Sequence, residues 1–316
     1  MAKVSVIVPI YNAQKYIRRC VTSLFEQTLD DIEYIFIDDC TPDDSIGILL
    51  SIINEYPHRR SQIRIERMTT NCGQAAVRKY AIGLATGKYI IHCDSDDWVE
   101  KTMFAKLYEK AIKESLDIVI CDFYITDGIN SERFNCESIC DKYHILSDFI
   151  SQKVAVSLWN KLIKSDLYKK NKITYPKHNM GEDYAILCQI AYYAKSYGYV
   201  DTPLYYYYNV NPESISNKKS YKDLENIWIG LHYNIQIVVN FFNKTNLTNK
   251  FKRDFDILKN KYRNELIKFI PNNNLCRSLW LSTYPNTNFF SEIGIKNKIR
   301  YIFIYLGIYT YIKKKK

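Results

Sequence analysis

The alternation of short apolar runs with amphipathic segments in the first third of the chain most constrains its fold. Apolar runs at 4–9, 33–37, 88–93 and 117–121 are separated by segments whose apolar residues recur at helical spacing. Such alternation builds βαβ units, because parallel strands need a crossover connection between them. We therefore predict an α/β protein with a doubly wound, mostly parallel, Rossmann-like sheet.

After about residue 220 the pattern changes to long amphipathic helices, so we predict two domains, an α/β domain over 1–215 and a helical region over 216–316. Residues 217–316 carry 19 Lys and Arg against 6 Asp and Glu, a net charge of +13, whereas the rest of the chain is close to neutral. This asymmetry favours an anionic partner for the C-terminal third, either a membrane or a nucleic acid.

The last twenty residues form a basic amphipathic tail. The stretch 299–312 is apolar and aromatic, and basic residues flank it on both sides, ending in Lys313–Lys316. It is too short to span a bilayer but suits an interfacial anchor. A helix docked on the protein body is the alternative. We favour contact of residues 296–316 with an anionic membrane surface.

Cysteine usage and the N-terminus indicate the compartment. The nine cysteines are an odd number without C-x-x-C pairs, and Cys93 and Cys121 lie in strand-like runs, which predicts free buried thiols. Residues 1–3 lead directly into a strand without an apolar signal segment. We expect a cytoplasmic protein, peripheral on the inner face of the membrane.

Two predicted strands end on carboxylates, one on Asp38-Asp39 and another on Asp94-Ser95-Asp96-Asp97. In a doubly wound sheet, ligands bind beyond the carboxyl ends of the strands. Oxygen-only ligands on a turn suit Mg²⁺ or Mn²⁺, and a carboxylate at a strand end can accept from a ribose hydroxyl or a base N–H. Solvated turns or helix caps are the alternative.

Two further motifs carry polar groups. In Asn71-Cys72-Gly73-Gln74 the glycine permits close backbone approach, and Arg78, one turn into the next helix, is suited to pair with phosphate. Glu182 and Asp183 open a helix, where one carboxylate is suited to act as a general base. A surface arginine and a capped helix are the corresponding alternatives.

Several short motifs occur in a fixed order: VSVIVPIYN at 4–12, IDD at 37–39, NCGQAAVR at 71–78, GKYIIHCDSDDW at 87–98, WNKL at 159–162 and GEDY at 181–184. Over about residues 3–210 the chain resembles glycosyltransferase family 2, whose fold is named GT-A. The resemblance implies an inverting transferase that moves a sugar from a nucleotide-sugar to a hydroxyl of a glycan or lipid-linked oligosaccharide, in surface polysaccharide biosynthesis.

The resemblance also implies a donor site, with UDP as the expected nucleotide. Pro9 and Tyr11 would frame the nucleobase, and Asp38 and Asp39 would bind the uracil or the ribose. The other expected donor contacts are Asn71, Arg78, Asp94 and Ser95. Asp96 is expected to hold the metal, Mn²⁺ or Mg²⁺, that bridges the diphosphate.

On the acceptor side, the resemblance implies that Asp183 is the catalytic base, with Glu182 beside it, and that Trp159 and Lys161 line the acceptor site. The chain departs from the family pattern where Cys40-Thr41-Pro42 replaces the usual Gly-Ser. It also lacks a Q-x-x-R-W motif after Asp183, which predicts non-processive transfer.

Two other functions are weighed against this one. A nucleotidyltransferase acting on sugar phosphates also uses a doubly wound sheet, but it would carry a Gly-rich basic loop after the first strand, where this chain has Pro9-Ile10-Tyr11-Asn12-Ala13. A non-catalytic nucleic-acid-binding protein would explain the basic tail. That tail lies away from the acidic motifs, so we expect no nucleic-acid partner.

Overall fold

The computed structural model describes residues 2–137, 141–212, 214, 217, 220–270, 274–283, 302 and 304. The chain divides into two compact units, Met1–Lys218 and Lys219–Lys316. The first unit contains the sheet and the second is helical.

The described part of the first unit contains nine strands: β1 Val4–Ile10, β2 Ile32–Asp38, β3 Ile63–Arg67, β4 Tyr89–His92, β5 Trp98–Val99, β6 Ile118–Thr126, β7 Ser131–Phe134, β8 Lys161–Lys164 and β9 Tyr197–Tyr208. Its helices are α1 Ile17–Phe25, α2 Ser45–Glu55, α3 Gln74–Leu84, α4 Met103–Lys113, α5 Lys142–Ser151, α6 Ser165–Lys169 and α7 Glu182–Tyr193. A 3₁₀ helix spans Pro57–Gln62. The strands predicted at 4–9, 33–37, 88–93 and 117–121 each begin within one residue of β1, β2, β4 and β6, and helices lie between them as predicted.

The strands form one sheet in the order β3-β2-β1-β4-β8-β6-β9-β5, with β7 paired to β6. Strands β3, β2, β1 and β4 pair in parallel, so their carboxyl ends lie at one edge. All of β1 except Pro9 is buried, because helices cover both faces of a doubly wound sheet. The α/β fold class is confirmed, and this part of the sheet corresponds to the predicted βαβ units.

The rest of the sheet is mixed. β8 runs antiparallel to β4 and β6, whereas β6 and β9 pair in parallel across register shifts at Asp122. The sequence predicts a strand near 198–208, where four tyrosines are consecutive, and β9 confirms it. It does not predict β7, β8 or α5. The pairings of β8 join segments about 40 and 70 residues apart in the chain, and no local pattern encodes such pairing.

The sequence predicts helices over about 220–243, 248–269, 275–282 and 296–312. The second unit contains α8 Tyr221–Lys244, α9 Lys252–Ile267 and α10 Asn274–Thr283, which confirm the first three to within a few residues. Its core includes Leu266, Ile270, Trp280 and Ile304, all buried. The helix predicted over 296–312 and the lysine run lie outside the described residues, apart from 302 and 304.

The eight described cysteines form no disulfide among the described residues. Six are buried, as predicted, whereas Cys40 is half-buried and Cys72 is exposed. Over the described ranges, no helix combines the length and the apolarity that a bilayer crossing needs.

Candidate active site

Asp38 and Asp39 lie buried where β2 ends. The Asp39 carboxylate accepts hydrogen bonds from the backbone N–H groups of Cys72 at 2.7 Å and Gly73 at 2.8 Å. The Asp38 carboxylate accepts from the Thr41 N–H at 2.7 Å and pairs with Arg67 at 3.3 Å. Asp39 therefore fastens the loop around residues 71–73 to the carboxyl end of the sheet.

The turn after β2 keeps its shape without glycine. Cys40 has a φ of +56°, a conformation that favours glycine, and its thiol donates to the Met68 carbonyl at 2.9 Å. Facing it, the N–H of Asn12 donates to Thr41 Oγ1 at 2.9 Å. Cys40 thus adopts the conformation for which the family pattern uses glycine.

The predicted nucleobase residues lie at the same edge. Pro9 is half-buried near the end of β1, and the side chain of Tyr11 is 45% exposed. Asn71 is exposed on the loop that Asp39 holds. The exposed Tyr11 ring, directly after β1, offers a flat surface for stacking a base.

Gly73 is where this loop meets the segment before α7. Its φ of +81° is a backbone conformation that side chains rarely adopt, and a Cβ there would lie 2.5 Å from the Asn179 side chain. The same Asn179 accepts from the Ala75 N–H at 3.2 Å, and its carbonyl accepts from the Glu182 N–H at 3.3 Å. The glycine therefore permits the close approach that joins the predicted donor and base segments.

Arg78 is the buried centre of the site. It donates to Asp94 Oδ1 at 2.8 Å, and its Nε lies 3.6 Å from both Glu182 Oε1 and Asp183 Oδ1. Gln74 donates to the same Asp94 oxygen at 2.9 Å. Arg78 is fully buried, and its guanidinium pairs with three carboxylates from two distant parts of the chain. Its predicted role in phosphate binding did not anticipate these ion pairs.

Burial also shifts the pKa values of these carboxyls. It raises the pKa of Asp94 to about 6, although the Arg78 guanidinium opposes the shift. Burial raises the pKa of Glu182 well above its ordinary value, and the neighbouring Asp183 carboxylate raises it further. The cluster thus holds more acidic groups than its one guanidinium can neutralise.

The aspartates of the turn after β4 have different surroundings. Asp97 is buried, accepting from the Tyr205 hydroxyl at 2.6 Å and from the Tyr208 N–H at 2.8 Å, so it anchors the turn to β9. Asp96 is half-buried and accepts from Asn211 at 2.7 Å through Oδ2. Ser95 lies half-buried between Asp94 and Asp96.

The donor set of this turn fits a hard divalent ion only in part. Among the residues that the structure describes, no three or more His, Cys, Asp or Glu side chains are grouped so as to hold a metal. Asp96 and its neighbours supply oxygen atoms alone, which suit Mg²⁺ or Mn²⁺ with much of the coordination left to water and phosphate oxygens. The residues fit a metal that a bound diphosphate would complete.

Arg19 of α1 supports this turn, and no sequence pattern predicted this role. Its guanidinium lies 3.5 Å from the ring centre of Trp98 and 4.8 Å from that of Tyr208, and it donates to the Asp96 carbonyl at 3.1 Å. Asn211 was not predicted either, because it lies 115 residues from Asp96 in the chain.

Glu182 and Asp183 begin α7 directly after Gly181, and no side-chain cap bond is formed at Gly181. Asp183 Oδ2 accepts from the Leu158 N–H at 3.1 Å, whereas Oδ1 is buried on the Arg78 side. The Asp183 side chain is 18% exposed and that of Glu182 is 9% exposed. Asp183 is therefore the more exposed carboxylate, and its Oδ1 is the oxygen buried against Arg78.

Trp159 and Lys161 lie inside the protein. The Trp159 ring stacks on Tyr205, with centroids 4.3 Å apart. The fully buried Lys161 ammonium donates to Ala155 O, Ser157 O and Asn160 Oδ1, at 2.7–2.8 Å. Both side chains are therefore buried, and their contact with the acceptor stays a prediction.

A cavity of about 420 Å³ lies at the opposite, amino-terminal ends of β1–β3, with Glu33 and Arg64 in its wall. Glu33 already accepts from Ser5 and from the Thr86 N–H. The size of this cavity does not make it the active site, because the clustered carboxylates, the buried arginine and the exposed ring lie at the other edge of the sheet.

Comparison with known proteins identifies the family and the fold. The family model described as glycosyl transferase family 2 matches residues 5–192. The chain is 30% identical over 230 residues to the poly(ribitol-phosphate) beta-glucosyltransferase of Bacillus spizizenii, which covers 72% of this chain and 35% of that enzyme. It spans 30% to 60% of the length of four curated relatives that it matches.

Two solved structures share the fold. S. aureus TarS 1-349 in complex with UDP-GlcNAc aligns with a TM-score of 0.61 at 19% identity, covering 89% of each chain. The mannosyltransferase PcManGT of Pyrobaculum calidifontis, in complex with GDP-Man and Mn²⁺, aligns with a TM-score of 0.55 at 14% identity, covering 90% of this chain and 81% of that one. At these identities the likeness concerns the fold alone, which is the predicted GT-A fold.

Proposed function

This chain belongs to glycosyltransferase family 2, and we propose that it transfers a sugar, with inversion, from a UDP-sugar to a hydroxyl of a cell-surface glycan or its lipid-linked precursor. The observation that carries the proposal is the buried Arg78, which contacts Asp94 on the donor side and Asp183 on the base side. A single guanidinium thereby lies between Asp94, on the proposed donor side, and Asp183, the proposed base.

In the proposed donor site, the uracil stacks on Tyr11 near Pro9, and Asp39 accepts from the base or ribose with the lone pairs that its two loop bonds leave. Asp38 supports the same turn, and Asn71 contacts the nucleotide from the loop. TarS, which shares the fold, has been solved with UDP-GlcNAc, and this supports UDP as the nucleotide.

We assign Asp96 as the metal ligand, with Asp94 and Ser95 beside it contacting the donor. A divalent ion bound there would neutralise charge on the departing diphosphate. The oxygen-only donors of this turn and the Mn²⁺ in the PcManGT complex support the assignment. Asn211 and Arg19 would keep the turn in place, one through the Asp96 carboxylate and the other through its carbonyl.

Asp183 Oδ2 takes the proton of the acceptor hydroxyl while the hydroxyl oxygen forms its bond to the anomeric carbon of the donor sugar. The bond from the anomeric carbon to the diphosphate breaks on the opposite face, and the configuration inverts. A positioned base of this kind typically contributes about 10²–10⁴-fold to the rate. Glu182, less exposed than Asp183, orients the base and the acceptor.

For the acceptor we propose a hydroxyl of a surface polymer or its lipid-linked precursor, with one sugar added at each encounter. The relative from Bacillus spizizenii is named for poly(ribitol phosphate), which supports this class. The parts of Trp159 and Lys161 in acceptor binding remain a prediction.

We further propose that the enzyme is cytoplasmic and acts at the inner membrane face through residues 296–316. Because Ile304 is buried in the helical core, deleting the whole segment would also damage the fold. Replacing Lys313–Lys316 with serine is the better test. We expect the variant to lose most of its sedimentation with anionic liposomes, whereas binding equal to that of the unaltered chain would refute the anchor.

A donor screen tests the activity itself. UDP-, GDP- and dTDP-sugars are titrated with Mn²⁺, and the tightest binder is followed for hydrolysis and for transfer to polyol-phosphate and glycan acceptors. We expect a UDP-sugar to bind best and to be turned over. Salt-sensitive RNA binding with no turnover of any donor would favour the nucleic-acid alternative and contradict the proposal.

A further inference from the structure

Residues 155–161, here called the Lys161 loop, connect a buried cation to the proposed base. The loop ends where β8 begins and is closed by Lys161, whose ammonium donates its three protons to three oxygens of the loop itself. Lys161 is fully buried, and each of its three ammonium protons is hydrogen-bonded to an oxygen of the same loop, so it acts as a local clamp rather than as a substrate contact.

The loop is also tied to the sheet. Asn160 is fully buried, donates to the Cys121 carbonyl at 2.8 Å, and its carbonyl accepts from the Cys121 N–H at 3.1 Å. Its Oδ1 accepts from both Lys161 and Ser157, at 2.7 Å and 3.0 Å. The clamp is thereby joined to β6, one of the long strands of the mixed part of the sheet.

This arrangement positions one backbone N–H, that of Leu158. Leu158 lies in the middle of the loop, and its N–H donates to Asp183 Oδ2 at 3.1 Å, the oxygen that we assign as the proton acceptor. Arg78 faces the other oxygen at 3.6 Å. The carboxylate plane of Asp183 is therefore set from two sides, by a guanidinium and by an amide that the clamp holds.

We infer that Lys161, with Asn160, is a positioning residue for the catalytic base, acting through the Leu158 N–H and not through the acceptor. The inference rests on the proposed function, since it assigns a role relative to Asp183. Displacing a reacting group by about 1 Å can cost on the order of 10²-fold in rate. Loss of the clamp should consequently slow the chemical step and leave donor binding, which lies at other strand ends, unchanged.

The test compares Lys161→Met with Lys164→Met. Lys164 is on the same strand, but its side chain is 39% exposed and pairs with Asp117, so its loss should leave kcat within twofold. For Lys161→Met we expect kcat to fall about 10²-fold, with the Kd of the donor unchanged within twofold. An unchanged kcat, or a donor Kd weakened in proportion to kcat, would overturn the inference.

Combining Lys161→Met with a variant that lacks the base shows whether Lys161 acts through Asp183. If it does, adding Lys161→Met to Asp183→Asn should lower the residual transfer no further. A further loss of about 10²-fold in that background would refute the proposed route.

Should Lys161→Met fold poorly, Ser157→Ala removes a milder bond of the same loop. We expect about a threefold lower kcat with unchanged donor affinity. An unaltered kcat would count against the clamp.

Hydrogen exchange separates this inference from the proposed function. Amides 155–160 should exchange faster in Lys161→Met than in Lys164→Met, whether or not the protein turns over any donor. Equal exchange in the two variants overturns the clamp even in an active enzyme. Faster exchange combined with a wild-type protein that transfers no sugar supports the clamp and overturns the proposed function.

Discussion

The two halves of the sheet build the site in different ways. In the donor half, β3-β2-β1-β4, the parallel strands end together, so the aspartates that follow β2 and β4 lie at the same edge of the sheet. In the base half, β8-β6-β9-β5, the strands run in mixed directions, and Asp183 comes from a helix start that Arg78 and the Leu158 N–H hold in place. Strand ends thus supply binding groups, whereas long-range contacts orient the base.

This contrast predicts that substitutions in the base half affect rate and that those in the donor half affect affinity. Asp183→Asn should lower kcat by about 10²–10⁴-fold, because the amide cannot accept the proton. Donor affinity, measured by calorimetry, should stay within about twofold. Transfer at a near-native rate would remove Asp183 from the mechanism.

A smaller effect is expected for the metal ligand. Asp96→Ala should weaken donor binding on the order of 10- to 100-fold in the presence of Mn²⁺, because the proposed ion loses its protein ligand. Without Mn²⁺ the two proteins should bind the donor about equally. The control is Glu109→Gln, an exposed change on α4, which should bind like the unaltered chain. Equal affinities for Asp96→Ala and the unaltered protein, with and without the ion, would reject Asp96 as the ligand.

The junction between the halves is tested at Gly73. Gly73→Ala places a side chain where φ is +81° and 2.5 Å from Asn179, which should lower the free energy of unfolding by about 1–3 kcal/mol. Because the same loop carries Asn71 and is held by Asp39, donor affinity should fall by roughly tenfold. Denaturant unfolding and calorimetry measure the two effects, and a variant unchanged in both would show that the close approach is unimportant.

The smallest expected effect is that of a matched control, Gly83→Ala, whose change in the free energy of unfolding should be opposite in sign to that of Gly73→Ala. Gly83 lies within α3, and an added Cβ there meets no atom within 4 Å. Gly83→Ala should therefore raise the free energy of unfolding by about 0.5–1 kcal/mol, since alanine favours the helix, with donor affinity unchanged. A destabilised Gly83→Ala would mean that α3 tolerates no change and that the result at Gly73 is not specific to the loop.

Much of the donor half was predictable from sequence. Apolar runs that end on Asp38-Asp39 and Asp94 are local patterns, and parallel pairing brings such ends together whatever lies between them. The ordered motifs added the family and the identity of Asp183 as the expected base. The pattern also placed the helices of the second unit to within a few residues.

Other features depended on tertiary structure. Local sequence did not distinguish Asp97, which anchors the turn to β9, from Asp96, and it did not show that Lys161 is fully buried. Arg19 and Asn211 reach the Asp96 turn from 77 and 115 residues away. Periodicity reports which face of an element is buried, because it depends on neighbours along the chain. The partner of a buried polar group is set by which distant segments pack together, and only the folded chain decides that.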